Sequence, residues 1–237
     1  MTTTFFEPKH HNIERAARVG AALDPRLPIL ATPGRLTNIA DADRMIGAGM
    51  ADVIGVVRGL IAEPELMRNA REGKEHRSRV CIAVNHCFDA TAVGHFECAI
   101  NPSAGREQRW GVGKLVPAPR KMSVTVVGGG PAGLEAARVA ATRGHQLRLL
   151  ERRASLGGAL ELWARLPGRE HLRSLTDWYE RMLAELDVDT RTAWRPTCPR
   201  FGVRPMRSSS RPVRATTRVA KADTSHSPCL GTTTISC

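Results

Sequence analysis

Short apolar blocks alternate with amphipathic stretches over the first 75 residues of the chain. The blocks at residues 28–32 and 51–57 predict buried strands, and the stretches at 12–23, 38–46 and 63–73 predict helices. The links between them are short, which is typical of successive strand–helix units with parallel strands. This part of the chain therefore predicts a parallel α/β fold.

Glycine and arginine follow each of the two predicted strands. Gly34-Arg35 comes after the first strand, and Arg58-Gly59 comes after the second. Backbone N–H groups in such loops bind anions, and arginine adds a positive charge with a forked, hydrogen-bonding end. Such pairs occur more often in ordinary turns with a solvated arginine, so the pattern alone leaves a phosphate site and a plain turn both open.

Three cysteines follow within one short segment. Cys81, Cys87 and Cys98 lie after the α/β part of the chain and before the next apolar block. Grouped cysteines in a chain without a secretion signal favour metal or iron–sulfur ligation over disulfides. A complete cluster needs four ligands, and His86 or His95 is a candidate for the fourth. Three buried structural cysteines are the alternative.

The clearest pattern begins at residue 122. An apolar strand over 122–127 runs directly into the glycine-rich turn 128–133, a helix follows, and a second strand over 146–150 ends at Glu151. This order of strand, glycines, helix, strand and acid matches the dinucleotide-binding fingerprint. The glycine-rich turn comprises Gly128, Gly129, Gly130, Pro131, Ala132 and Gly133.

The three template glycines of this turn have separate predicted roles. Gly128 allows the tight turn, Gly130 lets the backbone approach a pyrophosphate, and Gly133 lets the helix pack closely on the strand. The pyrophosphate would lie at the helix N-terminus, where unpaired N–H groups favour an anion. Glu151 would accept hydrogen bonds from a ribose diol. The Gly157-Gly158 pair that follows favours FAD over NAD.

Regular patterning continues through an amphipathic helix over residues 169–186 and ends near residue 190. Residues 191–237 contain 14 Ser or Thr and 5 Pro among 47 positions, with no strand or helix period. Because too little apolar surface is present to offset the entropy of ordering, we expect this tail to be disordered. It is either a natural basic tail or an out-of-frame translation. The latter is favoured because the break falls inside a fold unit.

Charge and composition exclude several functions. The tail carries +8 of the net charge of +12, so the basic character does not belong to a folded face, and nucleic acid is not an expected partner. Aromatic residues make up only 4% of the chain, too few for a base-stacking platform. No apolar run is long enough to span a membrane and no signal peptide is evident, which predicts a cytoplasmic protein without a membrane partner.

The order of these features resembles the multi-cofactor branch of the old yellow enzyme family, which includes 2,4-dienoyl-CoA reductase, trimethylamine dehydrogenase and related NADH:flavin oxidoreductases. The resemblance covers about residues 12–190, and its most specific pieces are Cys98 to Glu107 and Val124 to Glu151. It implies an α/β chain with four parts: the C-terminal remnant of a TIM barrel, an iron–sulfur segment, the first βαβ unit of a Rossmann-like FAD domain and the disordered tail. The corresponding ranges are 1–75, 76–120, 121–190 and 191–237.

The same resemblance implies the cofactors FMN, FAD and a 4Fe–4S cluster, with NAD(P)H as electron donor. Electrons would pass from NAD(P)H through FAD and the cluster to FMN and then to an enoyl substrate, whereas amine-oxidising members start from an N-methylated amine. No catalytic residue is assigned. The implied FMN-phosphate residues are Gly34, Arg35, Val57 and Arg58, the cluster ligands are Cys81, Cys87 and Cys98, and Arg152 and Gly158 join Glu151 and the six residues of the turn in binding FAD.

The chain departs from the family pattern in three places. The family has a second cysteine shortly after the first, where this chain has Val84. Two strands cannot close an eight-stranded barrel, and the FAD domain ends after one βαβ unit. We therefore expect a fragment, truncated at both ends and inactive alone, that takes a small-molecule substrate in its complete form and forms homo-oligomers through exposed barrel edges. The alternative is a non-catalytic nucleotide-binding module or an inactive gene remnant.

Overall fold

The computed structural model describes residues 9–195 and 218–221 of the 237-residue chain. The described residues form a mixed α/β structure in which parallel strand pairs recur. The chain divides into two compact units. Unit 1 comprises residues 1–114 and 167–178, and unit 2 comprises residues 115–166 and 179–237. Residues 167–178 thus belong with the N-terminal unit, although they follow the first part of unit 2 in the sequence.

Unit 1 contains a two-stranded parallel sheet surrounded by short helices. Strand β1 pairs with β2 in the register Leu30 to Val53 and Ala31 to Ile54. The elements of unit 1 are α1 (Ile13–Gly20), β1 (Leu30–Ala31), α2 (Ile39–Gly47), β2 (Val53–Ile54), α3 (Arg58–Ala62), α4 (Leu66–Arg71), α5 (His86–Ala92) and α6 (Glu107–Trp110). Two 3-10 turns lie at Glu75–Arg77 and, within residues 167–178, at Glu170–Leu172.

The sequence pattern locates these elements but overestimates the strands. Both strands of unit 1 are two residues long, and Leu30 and Val53, which are paired in the register, are 66% and 48% exposed. Helix α2 begins as predicted, with the Asn38 side chain accepting a hydrogen bond from Ala40 N at 2.9 Å. The buried core of this region consists of Ile13, Ala31, Leu36, Ala42, Met45 and Ala51.

Unit 2 is built on a four-stranded sheet with the strand order β5-β4-β3-β6. Strands β3 and β4 are parallel over five residues, from Ser123 opposite Gln146 to Val127 opposite Leu150. Its elements are β3 (Ser123–Val127), α7 (Pro131–Thr142), β4 (Gln146–Leu150), α8 (Ala159–Trp163), the second half of α9 (Arg173–Glu185), β5 (Asp189–Arg191) and β6 (Arg218–Lys221).

The core of unit 2 lies between this sheet and its helices. Alternate strand residues Val126 and Leu149 are almost completely buried, as are Leu134 of α7 and Leu183 of α9. This burial follows from the period of two along a strand and 3.6 along a helix. The Tyr179 hydroxyl of α9 donates to Glu135 Oε2 of α7 at 3.1 Å, a polar contact between the two helices.

The C-terminal part of the sheet differs from the sequence-based expectation. Asp189–Arg191, where regular patterning was expected to end, forms β5, which is parallel to β4. Within the tail that we expected to be disordered, Arg218–Lys221 forms β6, which pairs antiparallel with β3. An open edge of a sheet offers unpaired N–H and C=O groups to any extended segment, whatever its side chains. The other tail residues from 196 onward lie outside the described residues.

Among the described residues, no helix has the length and apolar content needed to cross a bilayer.

Candidate functional site

The glycine-rich turn connects β3 to the N-terminus of α7, as the fingerprint predicts. Gly128 has φ of +109°, a conformation that disfavours any residue with a Cβ. Gly130 is the N-cap of α7 and Pro131 is its first residue. Because the N-cap is a glycine, its side chain does not cap the first turn, and the N–H groups of that turn could accept an anion as a partner.

Two further glycines of the turn show opposite surroundings. A Cβ at Gly133 would lie 1.9 Å from the Gly128 carbonyl oxygen, so only glycine permits this close approach of helix and loop. A Cβ at Gly130 would meet no atom within 4 Å. The loop is therefore tightly packed on its protein side and open at Gly130. This is the cradle required by a pyrophosphate, and it fits the ADP half of a dinucleotide.

Glu151 is buried at the end of β4 and is 8% exposed. Its Oε2 accepts a hydrogen bond from Gly129 N at 2.6 Å, and its Oε1 accepts one from Arg153 N at 2.7 Å. The carboxylate therefore holds the glycine-rich turn in place as well as lying where the ribose contact is predicted. Each carboxylate oxygen has a second lone pair, so these bonds leave acceptor capacity for a ribose hydroxyl.

A second glycine loop supports the first. Gly157 N donates to Gly129 O at 2.8 Å, and a Cβ at Gly158 would lie 3.0 Å from Gly130 Cα. Arg153 Nη1 donates to Gly158 O at 3.0 Å, which connects this loop to the segment after Glu151. The predicted contact Gly158 thus lies against the turn. Arg153 was missed by the sequence analysis, because neither periodicity nor a motif distinguishes it from the exposed Arg152 beside it.

In unit 1, the two predicted phosphate-binding arginines are neighbours. Gly34 and Arg35 both adopt positive φ, at +81° and +53°, in the loop after β1. Arg58 is the first residue of α3 after the N-cap Val57, and its Nη1 donates to Asn85 Oδ1 at 3.2 Å. Burial and, next, the positive charge of Arg58 lower the pKa of Arg35. Two arginines at strand ends, one of whose charges affects the pKa of the other, fit a phosphate group.

The cysteine segment adjoins these arginines. Burial raises the pKa of the Cys81 thiol, and the nearby Cys98 and Cys87 raise it further, whereas the Ala83 N–H and Arg58 act in the opposite direction. Cys81, Cys87 and Cys98 are all half-buried free thiols. Cys98, Cys87 and Arg58 are thus near enough to Cys81 to affect its charge, and the positive charge of Arg58 would favour a bound Cys81 thiolate.

The donor set accounts for three ligands of a cluster. Val84 occupies the position of the expected fourth cysteine and is 39% exposed. His86 contacts Glu97 through Nε2 and Oε2 at 3.3 Å, and His95 is exposed. Within the described residues, no three His, Cys, Asp or Glu side chains converge closely enough for a single metal ion. Cluster cysteines each bind a different iron, so a cluster does not require such convergence.

Comparison with known proteins places this geometry in a family. Residues 123–197 match the family described as FAD dependent oxidoreductase. The chain is 39% identical over 169 residues to an NADH oxidase of Thermoanaerobacter brockii, covering 70% of this chain and 26% of that protein. It is 38% identical over 163 residues to the N,N-dimethylglycine/sarcosine dehydrogenase of Chromohalobacter salexigens, covering 67% and 24%. The chain therefore spans about a quarter of the length of these relatives.

Solved structures give the same result. The 6-hydroxypseudooxynicotine amine oxidase of Pseudomonas geniculata matches with a TM-score of 0.76 and 29% identity over 81% of this chain and 29% of that one. The histamine dehydrogenase of a Rhizobium species matches with a TM-score of 0.76 and 28% identity, over 82% and 29%. The resemblance drawn from the sequence is confirmed, and the chain belongs to the multi-cofactor branch of the old yellow enzyme family.

Proposed function

We propose that this chain is the part of a flavin-dependent oxidoreductase that binds the ADP half of FAD and carries the thiolates for an iron–sulfur cluster next to an FMN-phosphate site. The observation that carries the proposal is the turn at residues 128–133, which is packed at Gly133, anchored by Glu151 and open at Gly130. In the finer layout, unit 2 is the beginning of a Rossmann-like FAD domain and the α/β part of unit 1 is the end of a TIM barrel.

The residues of unit 2 bind and orient the nucleotide in this proposal. The first turn of α7 and the N–H groups around Gly130 bind the pyrophosphate, and a Cβ at Gly130 would meet no atom of the described residues within 4 Å. Glu151 fixes the loop through Gly129 and offers its remaining lone pairs to the ribose. Gly158, packed on Gly130, closes the loop from the other side.

The residues of unit 1 bind a phosphate and present the thiolates. Arg35 and Arg58 supply two adjacent positive charges for the FMN phosphate, and Arg58 also lowers the electrostatic cost of a Cys81 thiolate. When bound, the flavins and the cluster supply hydride and single-electron transfer between NAD(P)H and the substrate. Cys81, Cys87 and Cys98 would hold three of the irons.

Substrate and location are part of the same proposal. Relatives include an N,N-dimethylglycine/sarcosine dehydrogenase, a dimethylamine dehydrogenase and a cinnamate reductase. We therefore propose an N-methylated amine or an enoyl compound as the substrate of the complete, cytoplasmic protein. The chain spans about a quarter of those relatives, so we expect nucleotide and iron binding, without turnover, from residues 1–237 alone.

The test is to purify the full chain anaerobically and titrate it with ADP and FAD by calorimetry, then to reconstitute it with iron and sulfide. We expect saturable ADP binding, little additional affinity for FAD because few flavin-ring contacts are present, and iron and sulfide bound in less than stoichiometric amounts because Val84 replaces one cysteine ligand. Nucleotide binding without iron would support the alternative of a non-catalytic nucleotide-binding module. If the chain bound neither nucleotide nor iron, the proposal would be wrong.

A further inference from the structure

A buried polar cluster joins the two ends of the cysteine segment. Arg79 lies two residues before Cys81, and Asn101 lies three residues after Cys98. Arg79 Nη1 donates to Asn101 Oδ1 at 3.4 Å, and the two residues are 8% and 2% exposed. This hydrogen bond therefore joins the beginning and the end of the segment that contains the three cysteines.

Arg79 is also connected to the end of α3. Its backbone N–H donates to Glu63 Oε2 at 3.4 Å, and its Nη1 lies 3.8 Å from the same oxygen. Nη1 also donates to the Ala62 carbonyl at 3.5 Å. The guanidinium stacks on the Trp178 ring, 4.8 Å from its centroid, while Trp178 Nε1 donates to Arg77 O at 2.7 Å. Every one of these residues belongs to unit 1.

Asn101 provides the second half of the connection. Its Nδ2 donates to the Ile61 carbonyl at 2.8 Å, and its Oδ1 also accepts from Ser103 N at 3.1 Å. The carbonyls of Ile61 and Ala62, at the end of α3, thus receive one hydrogen bond from each end of the cysteine segment. The end of α3 serves as a common anchor for both ends.

Burying Arg79, Glu63 and Asn101 together has a high free-energy cost. Arg79 Nε is buried without a hydrogen-bond partner among the described residues, and the Arg79–Glu63 separation of 3.8 Å is long for an ion pair. A well-packed apolar pair would serve stability as well or better, because burying charges carries a large desolvation cost. The directed hydrogen bonds instead fix a specific separation between two backbone segments, which an apolar contact does not.

We infer that Arg79 and Asn101 are positioning residues that hold the ends of the cysteine segment together, so that Cys81 and Cys98 lie close to each other before any iron binds. This inference rests on the proposed cluster site for its purpose, but not for its test. With the ends fixed, iron binding does not have to bear the entropy of closing the loop.

The experiment measures the alkylation rate of each cysteine in the full-length, reduced, metal-free chain by peptide mapping with iodoacetamide. The variants are Arg79→Met, Arg79→Lys and Asn101→Leu, and Arg71→Met is the control at an exposed arginine of α4. We expect Arg79→Met and Asn101→Leu to raise the alkylation rates at Cys81 and Cys98 about tenfold or more. The reason is that local opening of the cysteine segment then no longer has to break the hydrogen bonds of Arg79 and Asn101. Arg79→Lys should recover part of the protection, and Arg71→Met should match wild type.

The location of the effect separates positioning from general stability. Cys87 lies inside α5, away from both ends of the segment, so its rate should change less than the rates at Cys81 and Cys98. Equal rates in wild type and all variants, or an equal rise at all three cysteines, would overturn the inference. If Arg79→Met does not give the wild-type circular dichroism spectrum, Arg79→Lys and Asn101→Leu decide by the same comparison.

Iron reconstitution distinguishes this inference from the proposed function. If wild type takes up no iron but the alkylation pattern is as expected, Arg79 and Asn101 keep their positioning role and the proposed iron–sulfur site is wrong. If wild type takes up iron and Arg79→Met shows wild-type alkylation rates at all three cysteines, the positioning role is wrong and the proposed iron–sulfur site stands.

Discussion

Removing the Glu151 carboxylate should destabilise unit 2 measurably, because this side chain has two structural hydrogen bonds. It accepts from Gly129 N at 2.6 Å and from Arg153 N at 2.7 Å while only 8% exposed. Hydrogen bonds to a charged group are each worth about 1.5–3 kcal/mol. Glu151→Ala should therefore lower the free energy of unfolding by about 3–6 kcal/mol, a large fraction of the roughly 5–15 kcal/mol available to a domain.

Two variants calibrate this estimate. In Glu151→Gln the amide oxygen still accepts one hydrogen bond, whereas the amide NH2 cannot accept the other, so about half of the loss should remain. Glu185→Ala removes an exposed carboxylate near the end of α9 in unit 2 and should change stability by less than about 0.5 kcal/mol.

Urea unfolding provides the free energies, and hydrogen exchange of peptides covering residues 128–133 locates the change. We expect the amide of Gly129 to lose protection in Glu151→Ala and to keep it in Glu185→Ala. A loss of stability below about 1 kcal/mol, together with unchanged exchange at Gly129, would refute the role of the carboxylate as an anchor of the turn. ADP affinity in Glu151→Ala should fall by about 1–3 kcal/mol as a separate effect on binding.

Four further results are expected. Gly130→Val should abolish ADP binding, measured by calorimetry, with only a small fall in the melting temperature, since its side chain would occupy open space although valine is a poorer N-cap than glycine; binding that survives would exclude this site. Val84→Cys should increase the iron and sulfide retained after anaerobic reconstitution, and equal retention would show that three thiolates suffice. Burial lowers the pKa of His171 below 6.5, so the unfolded chain binds more protons and stability should fall as pH drops below about 6.5. His171→Gln should make the melting temperature depend less on pH in this range. Part of the pH dependence should remain, because burial also lowers the pKa of His10. The exposed Leu30 on β1 should promote self-association, so Leu30→Lys should reduce the apparent mass in size-exclusion chromatography; a monomeric wild type would contradict this.

The sequence alone determined the glycine-rich turn at residues 128–133. A strand, three spaced glycines and a helix are local features. Gly128, with φ of +109°, and Gly133, where a Cβ would lie 1.9 Å from the Gly128 carbonyl oxygen, are required by backbone geometry within a few residues of themselves. The same holds for the β4 strand, whose bounds were predicted correctly as residues 146–150. The grouping of Cys81, Cys87 and Cys98 was also predictable, because short separation along the chain already limits the distance between them.

Only the tertiary structure decided which residues support these sites. The second role of Glu151 depends on the distance across two adjacent strands, which sequence spacing does not encode. Arg79 and Asn101 meet across 22 positions, and the tail strand β6 pairs with β3 through backbone groups that every sequence possesses. Local propensity reflects interactions between residues that are close in sequence. These contacts instead arise from burial and from unpaired backbone groups, which exist only once distant segments have come together.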